Sequence, residues 1–170
     1  LYYTSSPQET AILAQKVAGQ IDKGCFIAFR GDLGAGKTAF VSALAAALGS
    51  RASTGSPTFA LLNQYTDGRI PVYHFDLYRI NGEEIYSLGF DELFFDENAV
   101  CCVEWSERLS ENDMPKRRLD INIMKLEGDK RCFDITPKGY KEGEKTYDNP
   151  GAGYGQQVLF GGSVVGVFRV

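Results

Sequence analysis

The sequence lacks the features that would place it in a membrane, outside the cell or directly on nucleic acid. No apolar run approaches the ~20 residues that span a bilayer. The four cysteines show no CxxC or metal-ligand spacing, so we interpret them as small core residues in a reducing compartment. The 18 basic residues do not outnumber the 22 acidic ones, and the net charge of −4 disfavours a protein that coats nucleic acid. We therefore expect a cytoplasmic protein with neither a membrane nor a DNA partner.

The 170 residues have the size and composition of one domain with an appendage. Apolar residues make up 44% of the chain and charged residues 24%, which is close to the globular average. The end of the chain differs, because residues 146–170 contain six glycines and only two charges. We predict a domain over residues 1–143 and a glycine-rich tail of unassigned role over residues 144–170.

Helix and strand signals alternate along the first part of the chain. The first predicted helix begins with Ser6 as its N-cap, followed by Pro7 as the first helical residue and Glu9 as the third. The periodicity predicts that this helix ends at Gly24. An apolar run over residues 25–30 is typical of a strand buried on both faces. A glycine-rich turn then leads into a second predicted helix.

Further strands follow this unit. The pattern predicts two hairpins, one at residues 59–65 with 70–76 and the other at residues 118–126 with 131–136. It also predicts a buried strand at residues 99–103 and short helical segments at residues 83–88 and 91–95. Strands interleaved with helices favour an α/β domain.

Residues 31–38, Gly-Asp-Leu-Gly-Ala-Gly-Lys-Thr, match the P-loop pattern at every fixed position. Glycines let successive backbone N–H groups point at phosphates, and the following helix directs its positive end at the same anion. Lys37 then reaches the β- and γ-phosphates, and the Thr38 hydroxyl is a ligand for Mg²⁺. The fold we predict is a three-layer P-loop NTPase with a largely parallel central sheet and added antiparallel hairpins.

A P-loop also needs an acid at the end of a neighbouring strand. Asp76 and Glu104 both end apolar runs, so one could hold Mg²⁺ while the other orients or deprotonates the attacking water. Spacing alone leaves the two roles open. His74, the only histidine, is either a catalytic base or a hydrogen-bonded structural residue beside the acid.

Four motifs together resemble the TsaE family of bacterial P-loop ATPases. They are GDLGAGKT at 31–38, SPTF at 56–59, HFDLYR at 74–79 and VEWSER at 103–108, and their order and spacing agree over about residues 4–137. The resemblance implies ATP and Mg²⁺ as ligands. It also implies ATP hydrolysis that drives or resets a TsaB–TsaD complex, which transfers threonylcarbamoyl to adenosine 37 of tRNA. The tRNA would then be an indirect partner through that complex.

The resemblance also implies roles for individual residues. Thr38 and Glu104 would hold Mg²⁺, and Asp76 would lie beside the γ-phosphate and its attacking water. Lys37, Asp76 and Glu104 are thus the expected catalytic residues. The residues expected to bind the ATP phosphates are Gly34, Ala35, Gly36, Lys37 and Thr38.

Other positions carry weaker expectations. Thr58 resembles a switch threonine that senses the γ-phosphate. The family also places adenine near Ser5 and Ser6, although no motif there supports this. Trp105 is either a core aromatic residue or part of a partner-facing or nucleotide-sensing surface.

Three other functions share parts of this pattern. A P-loop small-molecule kinase would need an acceptor pocket and usually an arginine-rich lid, which the sequence does not show. A GTPase would need an NKxD motif, which is absent. A non-catalytic adaptor is disfavoured by the presence of the P-loop lysine and threonine together with both acids. Residues 83–113 carry ten acids and one basic residue, so they form either a solvated surface or a docking face for a basic protein.

Overall fold

The computed structural model describes residues 1–52, 61–80 and 82–140, and the backbone of residues 159–160 and 163–164. The strands are β1 (Tyr2–Thr4), β2 (Phe26–Arg30), β3 (Leu62–Tyr65), β4 (Val72–Asp76), β5 (Val100–Glu104), β6 (Arg118–Lys125), β7 (Arg131–Lys138), β8 (Leu159–Phe160) and β9 (Ser163–Val164). The helices are α1 (Pro7–Ala18), α2 (Lys37–Ala47) and α3 (Gly82–Ser87), with 3₁₀ turns at Asp91–Phe95, Ser106–Arg108 and Glu111–Asp113.

Seven strands form one mixed sheet in the order β1-β7-β6-β2-β5-β4-β3. The four central strands are parallel, since β2 pairs with both β5 and β6, and β5 pairs with β4. Strands β1, β3 and β7 are antiparallel additions at the two edges. The mixed α/β class and both predicted hairpins are therefore confirmed.

The central strands are buried because alternate residues pack into two different apolar clusters. In β2, Ile27 and Phe29 belong to the cluster that includes α1 and α2. Phe26 and Ala28 belong to a second cluster with residues of α3 and the first 3₁₀ turn. This two-sided burial is the physical reason that β2 is a continuous apolar run.

Helix α1 begins as predicted but ends earlier than the periodicity indicates. The Ser6 hydroxyl accepts a hydrogen bond from the Glu9 N–H at 3.2 Å, as expected of an N-cap. The helix ends at Ala18, with Gly19 as its C-cap, and not at Gly24. Residues 19–20 form a turn, and Ile21 after it is still buried. Gly24 instead adopts a positive φ of 79° and donates a hydrogen bond to Ala99 O, which joins the loop to the start of β5.

Strands at the two ends of the chain lie outside the elements predicted from the sequence. Strand β1 has no counterpart among the predicted elements, and it pairs along the outer edge of β7. In the tail, β8 and β9 pair with each other in a separate two-stranded sheet. The proposed boundary at residue 143 stays a prediction.

No helix in the described ranges has the length and apolar character needed to cross a membrane.

Candidate functional site

The predicted phosphate loop lies between the end of β2 and the start of α2. Gly31, Gly34 and Gly36 all have positive φ, at 135°, 72° and 109°. A Cβ atom at Gly31 would press on the carbonyl oxygen of Ile123, so this position admits only glycine. A Cβ atom at Gly36, the N-cap of α2, would meet nothing within 4 Å. The loop is thus held against the sheet on one side and open on the other.

Lys37 is the first residue of α2 and is only 4% exposed. Its ammonium group donates hydrogen bonds to Gly31 O at 2.5 Å and Asp32 O at 3.1 Å. Loss of hydration lowers the pKa of Lys37, and nearby carboxylates led by Glu104 oppose this effect. The lysine is therefore a partly desolvated cation inside the loop, where an anion would be bound strongly.

Thr38, Glu104 and His74 form one hydrogen-bonded group. The Thr38 hydroxyl donates to Glu104 Oε1 at 2.7 Å, and His74 Nε2 lies 2.7 Å from the same oxygen. Glu104 is 3% exposed, and His74 is fully buried. The last residue of β5 is therefore joined to the first turn of α2, as expected for an acid at the end of a neighbouring strand.

Asp76 lies beside Glu104, because the two residues are register partners at the ends of β4 and β5. One of its carboxylate oxygens, Oδ1, accepts a hydrogen bond from the Tyr78 N–H at 3.0 Å. Asp76 is less buried than Glu104. The sheet thus presents two carboxylates at one edge in different surroundings, one tied to the P-loop threonine and one nearer to solvent.

Aromatic side chains border the loop on the other side. Trp105 has φ 60°, and it is the only non-glycine residue with positive φ among the described residues. Its ring lies 5.0 Å from that of Tyr78, and Lys37 Nζ lies 3.7 Å from its centroid. Such backbone strain outside glycine is concentrated at functional sites. Tyr78 was not among the predicted site residues, although its position two residues after the acid that ends β4 was a usable signal.

One cavity of about 580 Å³ lies against the glycine loop and the ends of β4 and β5. The predicted site residues in its wall are Gly34, Ala35, Gly36, Lys37, Thr38, Asp76 and Glu104. Trp105, Tyr78 and Arg79 also line it. Thr58 lies outside the described residues, as does the whole SPTF segment. Neither Ser5 nor Ser6 contributes to the wall.

The donor atoms at this site suit Mg²⁺ together with phosphates. Thr38 and Glu104 offer oxygen atoms, which hard cations prefer. Within the described ranges, no group of three or more His, Cys, Asp or Glu side chains could hold a metal ion without other ligands. Mg²⁺ usually binds through one or two carboxylates plus substrate phosphates, and Glu104 beside the Thr38 hydroxyl would suit that mode of binding.

The sheet, the glycine loop and the two strand-end acids define a nucleotide-binding protein of the mixed α/β class. Comparison with known proteins gives the family. Residues 4–133 match the family model of the threonylcarbamoyl adenosine biosynthesis protein TsaE. The chain therefore belongs to the TsaE family, and the resemblance seen in the sequence is confirmed.

Individual relatives agree with this assignment. The chain is 40% identical over 136 residues to the tRNA threonylcarbamoyladenosine biosynthesis protein TsaE of Bacillus subtilis, covering 80% of this chain and 84% of that protein. It is 37% identical over 142 residues to the protein of the same name from Nostoc, covering 79% and 84% of the two chains. The crystal structure of Bacillus subtilis YdiB superposes with a TM-score of 0.67 at 33% identity, covering 81% of this chain and 84% of that one.

Proposed function

We propose that this protein is a Mg²⁺-dependent ATPase required for threonylcarbamoyladenosine formation at adenosine 37 of tRNA. In this role it drives or resets a TsaB–TsaD transferase complex in the cytoplasm, and tRNA is reached through that complex. The relatives named for tRNA threonylcarbamoyladenosine biosynthesis support the pathway. The proposal includes a P-loop NTPase arrangement of three layers around the parallel centre of the sheet.

The observation that carries the proposal is the junction of Thr38 with Glu104. A P-loop threonine hydrogen-bonded to a strand-end carboxylate brings together two oxygen ligands of the kind that hold a nucleotide-bound Mg²⁺. The adjacent cavity holds the glycine loop, the buried lysine and a second carboxylate. One wall therefore combines anion binding, cation binding and a candidate for positioning water.

Each residue has a defined part in this proposal. Backbone N–H groups of residues 34–38 bind the phosphates at the positive end of α2. Lys37 offsets negative charge that grows on the phosphate oxygens as the bond to the leaving group breaks. Asp76 orients the attacking water and accepts its proton. When bound, Mg²⁺ would be held by Thr38 and Glu104, and it would neutralise charge on the phosphate oxygens.

A panel of nucleotides tests the proposal against the other functions. ATP, GTP and ADP are assayed for binding and for phosphate release, with and without the purified TsaB–TsaD complex and with and without Mg²⁺. We expect Mg²⁺-dependent binding of ATP and release of inorganic phosphate. Transfer of phosphate to a small molecule would identify a kinase, and a preference for GTP would identify a GTPase. Binding without hydrolysis under every condition would identify an adaptor and refute the proposed activity.

A further inference from the structure

The mechanism above leaves the one histidine without a role, although it is the most enclosed polar side chain at the site. His74 is fully buried in the middle of β4, two residues before Asp76. Its register partner on β5 is Cys102, two residues before Glu104. Side chains two residues apart share a face of a strand, so His74, Asp76, Cys102 and Glu104 lie on the same side of the sheet.

The protonation site of His74 follows from its surroundings. Nε2 lies 2.7 Å from Glu104 Oε1, and an ionised carboxylate oxygen can only accept a hydrogen bond from it. Among the described residues, the other ring nitrogen, Nδ1, is buried with no hydrogen-bond partner. A proton on Nδ1 in place of Nε2 would leave a buried donor unpaired and set two lone pairs against each other. The ring therefore carries its proton on Nε2 and donates it to Glu104.

Both hydrogen bonds to Glu104 use the same carboxylate oxygen. Oε1 accepts from Thr38 Oγ1 and lies against His74 Nε2, both at 2.7 Å. Neither of these two contacts uses the other oxygen, Oε2. Two donors on Oε1 fix the position of that oxygen, and the second oxygen keeps its lone pairs for another ligand.

We propose that His74 is a positioning residue that fixes the Glu104 carboxylate for cation binding by donating from Nε2. His74 itself contacts neither the cation nor the nucleotide. Its Nε2–H group and the Thr38 hydroxyl hold Oε1, which leaves Oε2 for a cation bound in the cavity that Glu104 lines. This inference rests on the proposed Mg²⁺ role of Glu104, and it adds a buried residue that the Mg²⁺ affinity depends on. Partners of this kind behind a ligand typically change metal affinity 10–100-fold when they are removed.

Two amide substitutions form a matched test. In His74→Gln, the side-chain amide nitrogen reaches the position of Nε2 and can donate to Glu104. In His74→Asn, the same amide is one methylene shorter and cannot reach. The readout is the Mg²⁺ concentration needed for half-maximal binding of a fluorescent ATP analogue, which does not require hydrolysis. We expect His74→Asn to raise it about tenfold or more, and His74→Gln to stay within about threefold of the unchanged protein.

A double-mutant cycle separates positioning from a general structural effect. If His74 acts through Glu104, His74→Asn should have no further effect on the Mg²⁺ requirement in a Glu104→Ala background. An undiminished effect in that background would overturn the inference, as would an unchanged Mg²⁺ requirement in His74→Asn. Thermal unfolding of each variant checks that it is folded.

The unchanged protein gives a second, independent measurement. Because the chain has one histidine, nitrogen NMR of the ring reports His74 without assignment by mutation. We expect a protonated Nε2, and an unprotonated Nε2 would overturn the inference even if the Asn variant does not fold. If nucleotide binding to the unchanged protein proves independent of Mg²⁺, the proposed function fails. The NMR result then still decides whether His74 holds Glu104.

Discussion

The ammonium group of Lys37 lies over the face of the Trp105 ring, 3.7 Å from its centroid. A cation held on an aromatic face and against two carbonyl oxygens, with little access to water, is attracted strongly to any anion that enters. Trp105 is the only tryptophan, so its emission should report events at this lysine. The positive φ of Trp105 places the ring there at a cost in backbone strain.

Replacing Lys37 by alanine should abolish hydrolysis and weaken nucleotide binding. The variant loses the charge that meets the phosphates in a cavity that excludes much of the water, which should lower the rate by roughly 10²-fold or more. Phosphate release and the change in Trp105 emission on adding ATP are the measurements. Lys23→Ala is the matched control, because Lys23 is exposed in the loop before β2. Near-normal turnover by Lys37→Ala would contradict the P-loop assignment.

The local parts of this site were predictable from the sequence, and the contacts between distant residues were not. The glycine loop, Lys37 and Thr38 are adjacent in the chain, so their spacing alone indicates a phosphate site. Asp76 and Glu104 were recognisable as the ends of apolar strands. Their juxtaposition depends on the parallel register of β4 with β5, which no local pattern specifies.

Dependence on distant residues also explains why two other features could not be predicted from the sequence. The convergence of Thr38 and His74 on one oxygen of Glu104 joins α2, β4 and β5, which are separated by 30 to 66 residues along the chain. Strand β1 is three residues long and is stabilised by pairing with β7, more than a hundred residues later. Short elements of this kind depend on their partners, and local propensity does not identify them.

The two carboxylates should respond differently to Mg²⁺. Glu104→Ala should raise the Mg²⁺ concentration needed for tight ATP binding, because it removes a proposed metal ligand that is hydrogen-bonded to Thr38. Asp76→Ala should leave ATP bound and slow hydrolysis, because Asp76 is proposed to position water. Titrating Mg²⁺ against both variants, with binding and phosphate release measured separately, tests the assignment. Exchanged behaviour would mean that the two roles are reversed.

The buried thiols should make the protein less stable in alkaline solution. Burial raises the pKa of Cys25 to about 12 and raises the pKa values of Cys101 and Cys102 well above the ordinary range. Below pH ~8.5, thiols are protonated in the folded and unfolded chains alike, and this contribution is complete. As pH rises further, the unfolded chain loses thiol protons that the folded chain retains, so the free energy of unfolding falls.

Urea unfolding at pH 8 and pH 10 measures this effect. Each such thiol should contribute a loss of at most about 1.4 kcal/mol per pH unit above its unfolded pKa. Cys25→Ala removes one of these groups and should make the decline less steep. An equally steep decline in that variant would show that other groups dominate the alkaline behaviour.

The distribution of charge on the surface limits which kind of partner the protein can bind. Glu83 and Glu92 are exposed on α3 and the 3₁₀ turn that follows it, within the acid-rich stretch of residues 83–113. This surface should repel a bare phosphate backbone, so we expect little or no binding to isolated tRNA at ~0.15 M salt. The proposed function serves tRNA modification, and this surface disfavours direct binding of tRNA. The protein should therefore act chiefly by binding another protein.

We therefore expect association with the TsaB–TsaD complex that depends on the bound nucleotide, since P-loop proteins commonly report the γ-phosphate through ordered loops. Pull-down with ATP, ADP or no nucleotide, each with and without tRNA, is the measurement. Reversing the charge of Glu83 and Glu92 to lysine should weaken association if this surface docks a basic face. The same reversal at Glu127 and Asp129, exposed in the turn between β6 and β7, should not. Tight tRNA binding without the partners, or no association in any nucleotide state, would refute the proposed role.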